Sequence, residues 1–440
     1  ACLADDMGLG KTVQVLAHLC EAGGKTLLVC PLSVLISWQR EAARFTPHLS
    51  VLLHHGPRRP RGEALTAAVA GADMLVTTYA VARSDSDALG SIEWSRIVLD
   101  EAQHIKNPDT ETSRSIRALP ARHRIAMTGT PVENRLDELW AIFDFLSPNL
   151  LGSRSAFKAR YADPIEKNGD PLAADALRRL TGPFLLRRRK TDPNIAADLP
   201  DKIEIKEPCS LTVEQAALYA AQLSAVRKRL EEAEDDDAAK RTVILGALTR
   251  LKQICNHPAQ FLHEDAPLAG RSGKLARLEG IVASILAAGE RVLIFTQYTA
   301  AASLIKDRFL QRFKLDSLFL HGGLSRPQRQ ALIDRFQAGE APVFLLSLKA
   351  AGTGLTLTAA SHVIHFDRWW NPAVEDQATD RAWRLGQRRQ VQVRKLICAG
   401  TIEERIDALI ESKRALAAEV INTQGPGGLT LSELSALVEG

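Results

Sequence analysis

No stretch of this sequence is both uncharged and long enough to cross a bilayer, which takes about 20 apolar residues, so no membrane partner is expected. The first residues lack the basic region of a signal peptide, and Asp5 and Asp6 interrupt any apolar run there. No C-x-x-C pair occurs among the scattered cysteines Cys2, Cys20, Cys30, Cys209, Cys255 and Cys398. That argues against a disulfide framework and for a reducing, cytoplasmic compartment. Cys255-Asn256-His257 has no second ligand pair in register, so it reads as packing and helix-terminal residues rather than a zinc site. Repeats of solenoid period are missing as well. Nor does one sign of charge dominate: 56 basic against 52 acidic residues leave a net charge of +4, which does not announce a nucleic-acid binder. Two local basic runs, RRLTGPFLLRRRK (178–190) and RLGQRRQVQVRK (384–395), are read first as solvated faces and second as nucleic-acid contacts.

What is present is the balance of a globular protein, 45% apolar and 25% charged over 440 residues, which is too long for one ordinary core. Ala1 is not a natural start, which points to a piece of a longer protein. Two stretches alternate short apolar runs with helix-length segments. KTLLVCPLSVLISW, ADMLVTTYA, SRIVLDEA and HRIAMTGTP make the first; RVLIFTQYT, DSLFLHGG, APVFLLSL, SHVIHFD and VQVRKLI make the second. Such runs predict buried parallel strands, hence an α/β chain of two doubly wound domains. Residues 133–190 and 210–260 read as helical. The expected organisation is a first lobe over 1–195 with a helical insertion from about 133, and a linker with a second helical insertion over 196–270. A second lobe over 271–402 and a C-terminal helical brace and tail over 403–440 complete it.

The opening segment ACLADDMGLGKT carries Gly10-Lys11-Thr12, the second half of a phosphate loop, but Asp5 holds the position of the first glycine. Backbone N–H groups at a helix start can bind phosphate, with Gly8 and Gly10 allowing close approach. Lys11 would reach the β/γ oxygens and Thr12 would hold Mg2+. RIVLDEAQ buries Ile97, Val98 and Leu99 and delivers Asp100 and Glu101 at a strand's carboxyl end, where nucleotide sites of open α/β sheets lie. Asp100 suits an Mg2+ ligand, and Glu101 suits the carboxylate that orients and deprotonates an attacking water. Far downstream, Arg381 and Arg384 stand three apart, on one face if that stretch is helical, where arginine would stabilise charge on a transferring phosphate.

Taken in order, LADDMGLGKT, DEAQHIKN, MTGTPVENRLDELW, LHGGLSRPQRQALIDRF and SLKAAGTGLTLTAASHVIHFDRWWNPAVEDQATDRAWRLGQ resemble the motif series of Swi/Snf-type ATPases, the superfamily-two, helicase-like DNA translocases. The resemblance runs from residue 2 to about residue 410, and an aspartate at position 5 is ordinary in that family. It implies two RecA-like parallel-sheet lobes with helical insertions, facing each other across an ATP-binding cleft. It also implies an ATP- and Mg2+-dependent hydrolase that tracks double-stranded DNA by its backbone, with a DNA-bound protein complex as cargo and a nucleoid-associated, cytoplasmic location. Lys11 and Thr12 would bind the nucleotide and metal, Asp100 and Glu101 would hydrolyse, and Thr128, Gly129 and Thr130 would couple the site to the lobe interface. Gly352, Gly354 and Gln377 would complete the nucleotide site with Arg381 and Arg384.

DNA contacts carried over from the family fall on Pro31, Ser33, Thr77, Thr78, Thr296, Gln297 and Lys349, and on the RWWNP segment, including Arg368 and Trp370. Packing is the favoured role for the tandem Trp369 and Trp370, with base stacking second. Gln103 before His104 is the form of the bacterial-type branch, and Trp383 and Ala351 depart from the commoner histidine and glycine. The family's adenine-contacting segment lies upstream of the phosphate loop, ahead of where this chain starts. The rival readings are a strand-separating helicase, which needs a wedge element not identifiable here, and a catalytically silent DNA-bound scaffold. Intact Lys11, Asp100, Glu101, Arg381 and Arg384 speak against the scaffold.

Overall fold

A computed structural model describes residues 1–129, 136–190, 192, 194–195, 198–233, 236–348, 350 and 355–419. Apart from the last residues of the chain, they form two compact units, Ala1–Asp198 and Leu199–Ala415.

The first unit is built on a seven-stranded sheet. Its strands are β1 (Cys2–Leu3), β2 (Thr26–Cys30), β3 (Val51–His54), β4 (Met74–Thr78), β5 (Trp94–Asp100), β6 (Ala121–Met127) and β7 (Leu185–Leu186). All pairings are parallel, in the order β3-β4-β2-β5-β6-β1-β7. TLLVC and MLVTT are buried at every position, as expected of strands covered on both faces by helices. Because every strand runs the same way, residues following β1, β2, β4, β5 and β6 emerge at one carboxyl edge. The phosphate-loop segment, Pro31, Tyr79, Glu101 and Thr128 all lie there. Helices between Leu136 and Thr181 form a satellite core of Leu139, Trp140, Phe143, Phe157, Tyr161 and Leu177. The chain then returns to the sheet as β7 beside β1, pairing Cys2 with Leu185.

The second unit carries a six-stranded parallel sheet, β10-β11-β9-β12-β13-β8. Its strands are β8 (Lys202–Cys209), β9 (Val292–Thr296), β10 (Leu318–Leu320), β11 (Val343–Ser347), β12 (His362–His365) and β13 (Val391–Cys398). β8 corrects the sequence reading, which left these residues in a linker. KIEIKEPC alternates apolar and charged residues, and the charges find partners once it lies against β13. Glu204 meets Lys395 at 2.5 Å, and Glu207 meets Arg277 at 2.5 Å and Arg394 at 3.3 Å. Two long helices follow, Val213–Glu232 with a Thr212/Gln215 capping box, and Asp237–Asn256 capped by Asp236. The closing helix Ile402–Glu419 buries Ile402, Ile406 and Ile410, the i, i+4, i+8 stripe of an amphipathic helix. Its Glu403 forms a fully buried pair with Lys274 at 2.5 Å. Among the described residues no helix is long and apolar enough to cross a membrane.

Candidate active site

In the first unit, Gly8 and Gly10 both take the left-handed conformation (φ 84° and 76°), and Gly10 caps the helix Lys11–Ala22. A side chain at either position would strain the turn. The first helical bond runs from the Gln14 N–H to the Gly10 carbonyl at 3.1 Å, so the N–H groups of residues 11–13 have no acceptor in their own helix. They form the positive end of the helix, next to the Lys11 ammonium. That ammonium is folded back onto the loop, donating to the carbonyls of Asp5 (2.6 Å) and Asp6 (3.4 Å). Concentrated N–H donors and one cation at a glycine turn suit a polyphosphate.

Asp5 explains how the loop dispenses with its first glycine. Its buried carboxylate accepts the Arg188 backbone N–H at 2.9 Å, the Arg188 guanidinium at 3.0 Å, and the Gln14 amide at 3.2 Å. Burial pushes its pKa up, but the Arg188 and Gln14 hydrogen bonds outweigh that and hold it below the ordinary value. The carboxylate thus ties the start of the loop to the segment after β7, 183 residues away.

At the end of β5, Asp100 accepts the Trp38 indole N–H on Oδ2 at 2.7 Å and the Glu101 N–H on Oδ1 at 2.9 Å. Burial and the adjacent Glu101 carboxylate push its pKa up, against the opposing pull of Trp38 and Lys11. Two adjacent carboxylates beside the glycine turn have the chemistry to suit a divalent cation, for which Asp100 is the candidate ligand. Glu101 has φ 52°, a conformation that costs a non-glycine residue energy and recurs at functional sites. Its Oε2 accepts the Gln103 amide at 2.8 Å, while Gln103 Oε1 accepts the Thr128 hydroxyl at 2.9 Å. Gly129 packs so closely on Met7 that an added Cβ would lie 2.7 Å from Met7 Cγ. Thr128-Gly129 therefore touches both the acidic pair's network and the phosphate loop. Thr130 lies outside the described residues.

In the second unit, Gln377 is half-buried on the helix Pro372–Thr379. The helix ends before the arginines, so Arg381 and Arg384 do not share a helical face. They sit on successive turns, closed by bonds such as Arg381 N–H to Ala378 O and Gln387 N–H to Arg384 O. Arg381 is buried, and its carbonyl accepts the Leu357 N–H at 2.9 Å. Arg384 donates to the Leu355 carbonyl at 3.2 Å. Lys349, Gly352 and Gly354 lie outside the described residues.

The SNF2-related domain family matches residues 1–260, and the helicase conserved C-terminal domain matches 273–386. The chain belongs to the SNF2-related family. Among curated relatives it is 49% identical over 432 residues to YwqA of Bacillus subtilis, named an ATP-dependent helicase/translocase, covering 96% of this chain and 47% of that protein. It is 36% identical to the DNA excision repair protein CSB of rice, over 92% of this chain and 38% of that one. To the Zorya protein ZorD of Escherichia coli it is 37% identical, over 95% and 42%. The chain thus spans less than half the length of these relatives. The solved SWI2/SNF2 ATPase core of Sulfolobus solfataricus in complex with dsDNA is 41% identical over 100% of this chain and 92% of that one, with a TM-score of 0.48.

Several family positions carried over as DNA contacts turn inward. Arg368, expected at a DNA surface, is fully buried: its guanidinium pairs with Glu375 (3.0 Å) and Asp407, and its carbonyl accepts the buried Lys252 ammonium at 2.5 Å. A guanidinium in that interior needs two carboxylates, and it found them on neighbouring elements rather than facing solvent. Thr77 is buried, donating to the His54 carbonyl at 2.8 Å, and Thr296 is buried against Asp367. Thr78 caps the helix Tyr79–Ser84. Pro31 is buried, Ser33 is exposed, and Gln297 is half-buried with its amide on the Arg368 carbonyl at 2.8 Å. Trp370 is half-buried under the Lys252 ammonium, 5.1 Å from the ring centroid, and Trp369 packs on a separate apolar cluster.

The basic runs also turn partly inward. Arg188 is tied to Asp5, Lys190 and Lys395 are buried, and Arg394 meets Glu207. His257 accepts the Ala259 N–H on Nδ1 at 3.0 Å and meets the Leu268 carbonyl through Nε2 at 3.1 Å, a helix cap and no zinc ligand. Cys255, Cys398 and Glu403 do converge within 4.8 Å, but the Lys274 ammonium holds both Glu403 oxygens and the Cys398 thiol is pushed far up in pKa by Cys255 and burial. Sequence reasoning missed Trp38, Gln103, Gln14 and Arg188. Gln103 adjoins the acidic pair and was visible by position. Nothing local signals that Arg188, inside the first basic run, bonds Asp5.

Proposed function

We propose that this chain is the motor of an ATP- and Mg2+-dependent enzyme that translocates along double-stranded DNA and displaces or remodels protein bound there, in the cytoplasm and in association with the nucleoid. The observation that carries the reading is the phosphate loop and the Asp100–Glu101 pair meeting at one sheet edge, wired to Thr128 through Gln103. The loop N–H groups and Lys11 hold the phosphates. Mg2+, held by Asp100 and Thr12, would neutralise charge on the phosphate oxygens. Glu101, fixed by Gln103, orients and deprotonates the attacking water. Arg381 and Arg384 are assigned to the charge that develops on the transferring group, where a well-placed arginine contributes about 10³–10⁵ in rate. Of the described candidates, Ser33 is exposed and Gln297 and Trp370 are half-buried, and these are assigned to the DNA backbone, whose recognition by phosphate contact carries little sequence preference.

The test is ATP hydrolysis by the 440-residue chain without nucleic acid, then with duplex DNA, single-stranded DNA and RNA, against a Glu101→Gln blank. Hydrolysis raised most by duplex DNA and absent from the blank supports the proposal. Preference for a single strand or RNA overturns the duplex claim. Duplex binding with no hydrolysis under any condition, by the full-length protein as well as this chain, returns the silent-scaffold reading.

A further inference from the structure

A buried indole N–H needs an acceptor, and a main-chain carbonyl ordinarily serves. Trp94, Trp140 and Trp383 follow that habit, donating to the carbonyls of Leu89 (2.8 Å), Gly152 (3.0 Å) and Pro200 (2.7 Å). Trp38 does not. Fully buried on the helix Leu35–Phe45, it gives its single N–H to the carboxylate of Asp100, the residue assigned to Mg2+, at 2.7 Å. A donor on Oδ2 fixes the rotation of that carboxylate and so the direction of its remaining lone pairs.

The same tryptophan is one helical turn from the loop that follows β2. The Val34 N–H bonds the Pro31 carbonyl at 3.1 Å, closing the turn, and the Trp38 N–H bonds the Val34 carbonyl at 3.0 Å. Leu32 and Ser33 at the tip of that turn are exposed, while Val34, Leu35 and Trp38 are packed with Leu28, Cys30 and Val98 in one apolar cluster. Such a cluster moves as a body rather than deforming. The turn, the start of the helix and the indole that bonds Asp100 are thus parts of one packed unit.

We infer that Trp38 is a positioning residue: it holds Asp100 in its metal-binding orientation and transmits to it the engagement of the 31–34 turn by duplex DNA. The inference rests on the proposed function for the identity of the metal and the DNA. It adds the route by which DNA contact reaches the metal carboxylate.

The experiment is Mn2+ binding, read by electron paramagnetic resonance on the 440-residue chain with a non-hydrolysable ATP analogue, with and without duplex DNA. Two variants are compared: Trp38→Phe, and the chain carrying benzothienylalanine at position 38. The latter keeps the bicyclic shape and replaces only the N–H by sulfur, and circular dichroism of both variants checks that the fold is retained. Loss of a hydrogen bond to a metal ligand typically weakens metal binding about 10- to 100-fold. A loss of that size in both variants, together with a DNA-dependent gain in Mn2+ affinity in the wild type that both variants lack, supports the inference. A packing role alone predicts that the isostere matches the wild type, and that result overturns it. Duplex-stimulated hydrolysis by the wild type is measured in parallel. If it is present while the isostere binds Mn2+ normally and responds to DNA, only Trp38's role fails; if it is absent from this chain and from the full-length protein alike, the proposed function itself has failed.

Discussion

Asp5 stands where a phosphate loop ordinarily has glycine, yet it is one of the most heavily bonded side chains of the first unit. Restoring the ordinary residue should therefore harm the protein. Asp5→Gly is expected to lower the unfolding free energy on the order of 2 kcal/mol, the scale of hydrogen bonds to a charged group, and to reduce rather than raise ATP hydrolysis. Urea unfolding and a hydrolysis assay check both. A second residue sets a pH dependence. Burial in β12, stacked 5.6 Å from Phe295, lowers the His365 pKa to about 4. Between that value and about 6.5 the unfolded chain takes up a proton that the folded one refuses. Its contribution is therefore complete above pH ~6.5 and lost as the pH falls towards 4, a change on the order of 3 kcal/mol at about 1.4 kcal/mol per pH unit. His365→Leu should flatten the stability profile across that window in chemical unfolding. A profile as steep as that of the wild type would show that the titration lies elsewhere.

At the scale of elements, what matters is which segments are tied together. Gln103 joins the loop after β5 to the one after β6 through Glu101 and Thr128. Gln103→Ala should leave KM for ATP close to that of the wild type and lower kcat roughly two- to thirty-fold, the range for a residue inside a coupling network. Steady-state kinetics separate the two terms. In the second unit, the Lys274–Glu403 pair fastens the closing helix. Removing one partner as Glu403→Gln strands a buried ammonium, with an expected cost of about 3–5 kcal/mol, whereas replacing both by apolar residues of similar volume should recover most of the loss. Unfolding of the single and double variants measures it.

These ties also show what could be read from the sequence. Strands such as TLLVC and VFLLS were legible because burial on both faces leaves an unbroken apolar run. β8 was not, because its exposed edge keeps charges that only the fold pairs. Lys11, Asp100 and Glu101 were legible because their chemistry is local in sequence. The Asp5–Arg188 tie and the Trp38–Asp100 bond span 183 and 62 residues, and no pattern within a segment encodes them. Arg368 misled for a related reason: a basic residue in a loop after a strand looks available until the fold supplies Glu375 and Asp407.

For the whole molecule, a net charge of +4 sets the expectation that DNA affinity comes from localised phosphate contacts rather than from a general basic surface. Apparent affinity for duplex DNA should fall linearly on a logarithmic salt scale and change little when the sequence of the duplex is changed. Hydrolysis alone does not distinguish movement along an intact duplex from strand separation. The decisive measurement is release of a fluorescent third strand from a triplex carried on a forked duplex, with ATP, by the wild type and by Glu101→Gln. ATP-dependent release by the wild type alone, with the fork still paired, is the result expected of a duplex translocase. Separation of the fork, or ATP turnover with the third strand left in place, would contradict it.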